Sequence, residues 1–176
     1  MRPPSALFAS LSCLLVACSA PQPSSGPQLA QLQALAVKNL AMPQPNLVTS
    51  GQPTEAQFQE LQKLGVKRVI QLRVVNEPGT GWEEAKAKEL GIDFVRLPMA
   101  GADGLTIENA QRLAAELQKS GEQTTLVCCG SSNRVGALLA MKAFHVDGKS
   151  AEEALAYGKS AGLKALEPSV VEKLKK

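Results

Sequence analysis

Two hydrophobic rhythms alternate along this chain. Short runs rich in β-branched and aliphatic residues recur at Leu47-Val48-Thr49-Ser50, Val66 to Leu72, Ile92 to Leu97 and Thr124 to Val127. Between and after them, apolar residues fall three or four apart, as in Phe58, Leu61 and Leu64. The first rhythm predicts strands and the second amphipathic helices. Leu47 to Ser50 reads as an edge strand. Gly51-Gln52-Pro53-Thr54 turns the chain, and Thr54 caps a helix to about Leu64 that Gly65 ends. Val66 to Leu72 reads as a parallel strand, Asn76 to Gly81 as a loop, and Trp82 to Leu90 as a helix closed by Gly91. After the Ile92 to Leu97 strand comes a loop, Pro98 to Leu105. Thr106 then caps a helix to about Lys119, and Thr124 to Val127 is the central strand. Helices are predicted at 134–145, 150–160 and 168–175. Strands alternating with helices imply an α/β fold of three layers, a mostly parallel sheet flanked by helices, with right-handed crossovers. Ligands in such folds bind beyond the carboxyl ends of the strands, where the loops after Leu97 and Val127 should meet.

The pattern differs before residue 46. Residues 1 to 20 read as a secretory signal, with Arg2 as a weak positive start and an apolar run from Ala6 to Ala17 that is too short to span a bilayer. Leu15-Val16-Ala17-Cys18 resembles the lipobox of bacterial lipoproteins. That resemblance implies a signal region at 1–18 and acylation of Cys18 as the mature N-terminus. With Ser19 next, it also implies a lipid anchor in the outer membrane on the periplasmic side of the cell envelope. The other reading is an ordinary signal cut near Ala20. Residues 19–45 read as a Pro/Ser-rich linker with one helix at 28–40, closed by Pro43 and Pro45. The folded domain is expected at 46–176.

Composition narrows the chemistry. A formal charge of +3 is too small to argue for nucleic acid, and no nucleic-acid partner is expected. Only 3% of residues are aromatic, so the core must be built from Leu, Val, Ala and Ile. The single histidine, His145, is badly placed for a catalytic triad or a histidine metal site. The four cysteines form two unlike pairs, Cys13 with Cys18 and Cys128 with Cys129. That is neither a disulfide framework nor a zinc pattern, and neither metal nor cofactor is expected.

The densest chemistry lies in Leu126-Val127-Cys128-Cys129-Gly130-Ser131-Ser132-Asn133-Arg134-Val135-Gly136-Ala137. This is a strand, a loop of small residues and an apolar helix start. Small residues let backbone N–H groups converge on one oxyanion, and the helix N-terminus adds partial positive charge. The same field would stabilise a thiolate.

The stretch resembles the signature loop of the cysteine phosphatases. It is most similar to the bacterial branch related to dual-specificity phosphatases, the beta-lactamase hydrolase-like phosphatases, whose loop reads His-Cys-x-x-Gly-x-Arg. The likeness extends over roughly residues 46 to 175 through Asn46 to Thr54, Gly65 to Arg73, Glu77, Gly91 to Pro98 and Ala161-Gly162-Leu163. It implies a phosphoric monoester hydrolase. Cys129 would attack phosphorus to give a cysteinyl-phosphate, and Arg134 would clamp two phosphate oxygens. Gly130, Ser131, Ser132 and Asn133 would supply N–H groups, and Ser131 or Ser132 a hydroxyl for the thiolate. Asp103 matches the general acid. Arg73 and Glu77 would shape the pocket rim or form a structural ion pair. The implied partner is a phosphorylated protein or small phosphomonoester.

Two positions depart from the family loop. Cys128 stands for histidine, and Ser132 for glycine, where a positive φ would strain the serine. Taking Cys128 as the nucleophile gives the five-residue spacing of the more familiar phosphatases but moves Gly130 one place early, which favours Cys129. Cys128 is a candidate redox partner or a neutral replacement. A degenerate phosphatase fold that binds an anion or a partner without turnover is the alternative function. A rhodanese-like sulfurtransferase, which also uses Cys-x(4)-Arg, is a third.

Overall fold

The computed structural model describes residues 28–175. The signal region and Cys18 lie outside the described residues. Twelve elements follow in order: α1 (Leu29–Gln33), β1 (Ala41–Gln44), β2 (Leu47–Ser50), α2 (Glu55–Lys63), β3 (Arg68–Gln71), α3 (Glu83–Glu89), β4 (Asp93–Arg96), α4 (Ile107–Ser120), β5 (Thr125–Cys128), α5 (Asn133–His145), α6 (Ala151–Ser160) and α7 (Glu167–Lys173). The sheet order is β1-β2-β5-β3-β4. Only β1 runs antiparallel to its neighbour, and β2, β5, β3 and β4 pair in parallel. This is the expected three-layer α/β arrangement.

Alternation along the strands divides the core in two. Val48, Val69, Leu126 and Cys128 face one side, where Leu32, Phe58, Leu61 and Ala87 cover them. Leu47, Ile70 and Val127 face the other, against Leu113 of α4 and the buried Val135, Leu138 and Leu139 of α5. Period two places adjacent residues on opposite faces, so Cys128 and its neighbour Cys129 belong to different cores. α5 is buried along most of its length, as its near-continuous apolar sequence requires. It crosses α6 at Gly136 and Gly158. A Cβ on Gly136 would lie 2.2 Å from the Leu163 nitrogen and 2.5 Å from the Gly158 carbonyl.

The predicted caps are present. Thr54 Oγ1 accepts from Gln57 N, Thr106 Oγ1 from Asn109 N, and Ser150 Oγ from Glu153 N. Two expectations change. Where the sequence suggests a linker carrying one helix at 28–40, α1 is only five residues long, because Ala36 and Asn39 take left-handed conformations (φ 52° and 51°). The chain then adds β1 to the sheet, with Leu32 and Val37 buried in the core. Pro43 is tolerated in β1 because an edge strand can do without a ladder donor. Consequently β2 is not an edge strand: it lies between β1 and β5, with all four residues buried.

Candidate active site

β5 ends at Cys128, opposite Ser50 of β2 and Gln71 of β3. The next residue, Cys129, donates its N–H to the Ser50 carbonyl, 3.3 Å away, and is buried. Residues 130–132 then fold back so that α5 starts at Asn133. The loop therefore sits at the carboxyl ends of the parallel strands, as the alternation of strands and helices predicts.

The loop is tied to the segments around Asn39 and Gly51 and to the connection between α6 and α7. Ser131 is bridged to Gly51, and its carbonyl accepts from Asn39 Nδ2 at 2.8 Å. Ser132 has φ 64° and ψ −9°, the left-handed conformation in which serine carries a cost of about 1 kcal/mol. Its hydroxyl donates to the Ala161 carbonyl at 2.9 Å. Gly162 (φ 102°) packs so closely that a Cβ there would stand 2.6 Å from the Ser132 Cβ. The glycine-like backbone required at Ser132 is thus kept, and a side-chain bond offsets its strain. That bond also corrects one expectation, because the Ser132 hydroxyl gives its one proton to the Ala161 carbonyl and does not donate to a thiolate. Asn133 Oδ1 accepts from the backbone N–H groups of Lys164 (2.8 Å) and Leu166 (3.2 Å).

Arg134, in the first turn of α5, is held by a loop far away in sequence. Its Nη1 and Nη2 donate to Glu77 Oε1 and Oε2, both at 2.7 Å, and Nη1 also donates to the Met99 carbonyl at 3.0 Å. The end of the guanidinium is occupied in this way. Its side edge, Nε with the remaining Nη2 proton, takes no part in those bonds, and the guanidinium also interacts with the Cys129 side chain. Nη2 lies beside Gly130, 3.6 Å from where a Cβ would be. Glu77 raises the Arg134 pKa, and the neighbouring Cys129 raises it further. The same bonds hold the Glu77 carboxyl down at about 2, chiefly through Arg134, with Arg73 adding to it.

Glu77 therefore joins two arginines, and of the two roles suggested by the sequence the structure shows the ion pair of Arg73 and Glu77. Arg73 Nε donates to Glu77 Oε2 at 2.9 Å, Nη2 to the Pro78 carbonyl at 2.8 Å and Nη1 to Gln52 Oε1 at 3.0 Å. A buried polar chain continues from there. Gln52 and Gln71 both donate to Glu83 Oε1, at 2.6 and 2.5 Å, and Arg96 Nη2 donates to Glu83 Oε2 at 3.1 Å. Glu83 and Asn39 carry no motif signal, and Gln52 and Gln71 lie in stretches that resemble the family but receive no role from sequence reasoning.

Cys128 is fully buried, and burial, reinforced by the charge of Glu83, pushes its thiol well above the ordinary range. It is a neutral side chain of the opposite core. Asp103 sits exposed in the turn after Met99, which Gly104 N closes onto the Ala100 carbonyl. It lines an open cavity of about 610 Å³ with Ala102 and with Pro168, Ser169, Glu172 and Lys173 around α7.

Comparison with solved structures decides the fold. A DUF442 protein from Shewanella putrefaciens CN-32, described as a phosphatase candidate, is 19% identical, with a TM-score of 0.66 over 84% of this chain and 96% of that one. The fold is that of the cysteine phosphatases. P. aeruginosa TpbA, solved as a cysteine-to-serine variant in complex with pTyr, is 21% identical, with a TM-score of 0.61 over 86% of this chain and 94% of its own. Kinase associated phosphatase, with its catalytic-site cysteine replaced by serine, is 17% identical, with a TM-score of 0.60 over 78% and 94%. No protein-family model matches the sequence, and no curated protein matches it.

Proposed function

We propose that this protein is a cysteine-dependent phosphatase acting on phosphomonoesters in the cell envelope. The observation that carries the reading is Arg134, clamped end-on by Glu77 beside Cys129, with its Nε edge outside the clamp. A planar fork with one edge fixed is suited to bidentate capture of a phosphoryl group. In the proposed reaction the Cys129 thiolate attacks phosphorus as the P–O ester bond breaks. Asp103 gives its proton to the leaving oxygen. Water then attacks the cysteinyl-phosphate, Asp103 takes a proton back, and phosphate leaves as the thiolate is restored. The N–H groups of residues 130–134 and Arg134 carry the charge that develops on the equatorial oxygens.

The substrate class remains that of a phosphorylated protein or small phosphomonoester, and the pTyr complex of the TpbA variant supports a phosphorylated ligand. The envelope location and an anchor on Cys18 rest on the Leu15-Val16-Ala17-Cys18 sequence. Palmitate labelling that is lost in Cys18→Ser tests the anchor.

A second reading, an anion-binding module without turnover, is favoured by Cys128 in the place of histidine. A buried neutral thiol cannot help to favour the Cys129 thiolate as an imidazole would. Hydrolysis of p-nitrophenyl phosphate with and without reductant separates the two. Turnover that disappears in Cys129→Ser and persists in Cys128→Ser supports the phosphatase. Phosphate or vanadate stabilising a protein without turnover supports the binder, and loss of activity only in Cys128→Ser moves the nucleophile.

A further inference from the structure

We propose that Asn39 is a positioning residue of the phosphate cradle, setting the peptide between Ser131 and Ser132 so that the Ser132 N–H faces the oxyanion. The inference rests on the phosphatase reading and adds to it a residue from the N-terminal segment, 92 positions away from Ser131 in sequence.

The argument begins with peptide geometry. A trans peptide is planar, so its carbonyl and N–H point in opposite directions. Asn39 Nδ2 donates to the Ser131 carbonyl at 2.8 Å, which turns that carbonyl toward the N-terminal segment. The Ser132 N–H then points away from Asn39, the direction in which the oxyanion is proposed to lie. The left-handed Ser132 makes this constraint consequential, because a peptide beside an αL residue is the one best able to flip. A flipped peptide would present a carbonyl oxygen to the phosphate in place of a donor.

Asn39 is itself well fixed. Its Oδ1 accepts from Lys164 Nζ at 3.0 Å. An ammonium only donates, so this contact sets the amide orientation and leaves Nδ2 for Ser131. Asn39 takes φ 51°, a conformation asparagine adopts more readily than most residues. The preceding residue is locked too, because the Lys38 carbonyl accepts from Gly51 N at 2.6 Å, and Gly51 has no room for a side chain against it. Lys164 also donates its backbone N–H to Asn133. The two ends of the loop are thus braced through one lysine and one asparagine.

Two substitutions in the full-length protein isolate the amide. Asn39→Gly tolerates the left-handed backbone and removes the donor. Asn39→Asp keeps the shape and the Lys164 contact but turns the donor into an acceptor facing the Ser131 carbonyl. Inorganic phosphate and orthovanadate binding are measured by calorimetry, alongside p-nitrophenyl phosphate kinetics and thermal melts. Loss of one neutral hydrogen bond predicts a phosphate Kd about 3- to 10-fold weaker in Asn39→Gly, and more than about 10-fold weaker in Asn39→Asp. KM rises with Kd, and the pH profile of Cys129 alkylation by iodoacetamide moves upward because the thiolate loses a donor dipole. A role in folding alone predicts lower melting temperatures with Kd, KM and alkylation profile unchanged, and that result overturns the proposal. Asn39→Gly provides the readout if Asn39→Asp does not fold. Wild-type protein that binds neither ion and hydrolyses nothing overturns the phosphatase reading. Wild-type binding that survives both substitutions overturns only the role of Asn39.

Discussion

Replacing Glu77 by glutamine tests the clamp on Arg134 most directly. The carboxylate accepts both Arg134 bonds, one from Arg73 Nε and one from Val74 N. Glutamine keeps one acceptor and turns the other oxygen into an NH₂ that faces arginine donors. Lowering of the carboxyl pKa from 4.5 to about 2 corresponds to about 3.4 kcal/mol of stabilisation at pH 7. The side chain is 25% exposed, so solvent screening reduces this to about 2–3 kcal/mol. A folded-state pKa below the unfolded value means that the stabilisation is complete above about 4.5 and is lost as pH falls toward 2. Urea unfolding of wild type and Glu77→Gln at pH 7 and pH 3.5 measures both the size and the titration. The gap should be about 2–3 kcal/mol at neutral pH and narrow by about 1 kcal/mol or more at pH 3.5. Phosphate ester turnover should fall at least tenfold at pH 7, because a released Arg134 samples other rotamers. A stability gap below about 0.5 kcal/mol, or one that does not change with pH, would refute the clamp.

Two further outcomes are expected. Gly136→Ala drives a methyl into the Leu163 and Gly158 backbone at the α5–α6 crossing, and should destabilise by about 3 kcal/mol or more in chemical denaturation, whereas Gly148→Ala, which meets nothing within 4 Å, should cost less than half of that. Asp103→Asn should lower kcat by about 10²-fold or more on substrates with poor leaving groups and much less on p-nitrophenyl phosphate, and equal effects on both would leave Asp103 as a turn residue only.

The strands and helices were legible because the two periodicities differ and the punctuation agrees with them. Thr54, Thr106 and Ser150 cap as their positions suggest, and Gly65 and Gly91 end helices with positive φ. The α1–β1 segment was not legible. Ala41-Met42-Pro43-Gln44 is short, only partly buried and interrupted by proline, so its strand character comes from pairing with β2. The loop residues Gly130 to Arg134 follow from local spacing, and the αL position of Ser132 was anticipated from the glycine it replaces. What holds them could not be read locally. Glu77 and Arg134 are 57 residues apart, and the Gln52, Gln71 and Glu83 contacts exist only once β3, α3 and the turn after β2 converge. Polar residues that meet through tertiary structure leave no periodic trace in the chain.

The separation of Cys128 and Cys129 onto opposite faces of the sheet bears on how the protein would withstand oxidants. Neighbours in sequence, they are strangers in space: one thiol lies among Val48, Leu126 and Val69, and the other under α5. If peroxide converts Cys129 to a sulfenic acid, no thiol among the described residues stands ready to capture it. Rescue would have to arrive from solution, as a small thiol or a reductase able to reach the bottom of the loop. On the phosphatase reading, inactivation would follow the redox state of the surroundings, with no protective disulfide between the described cysteines.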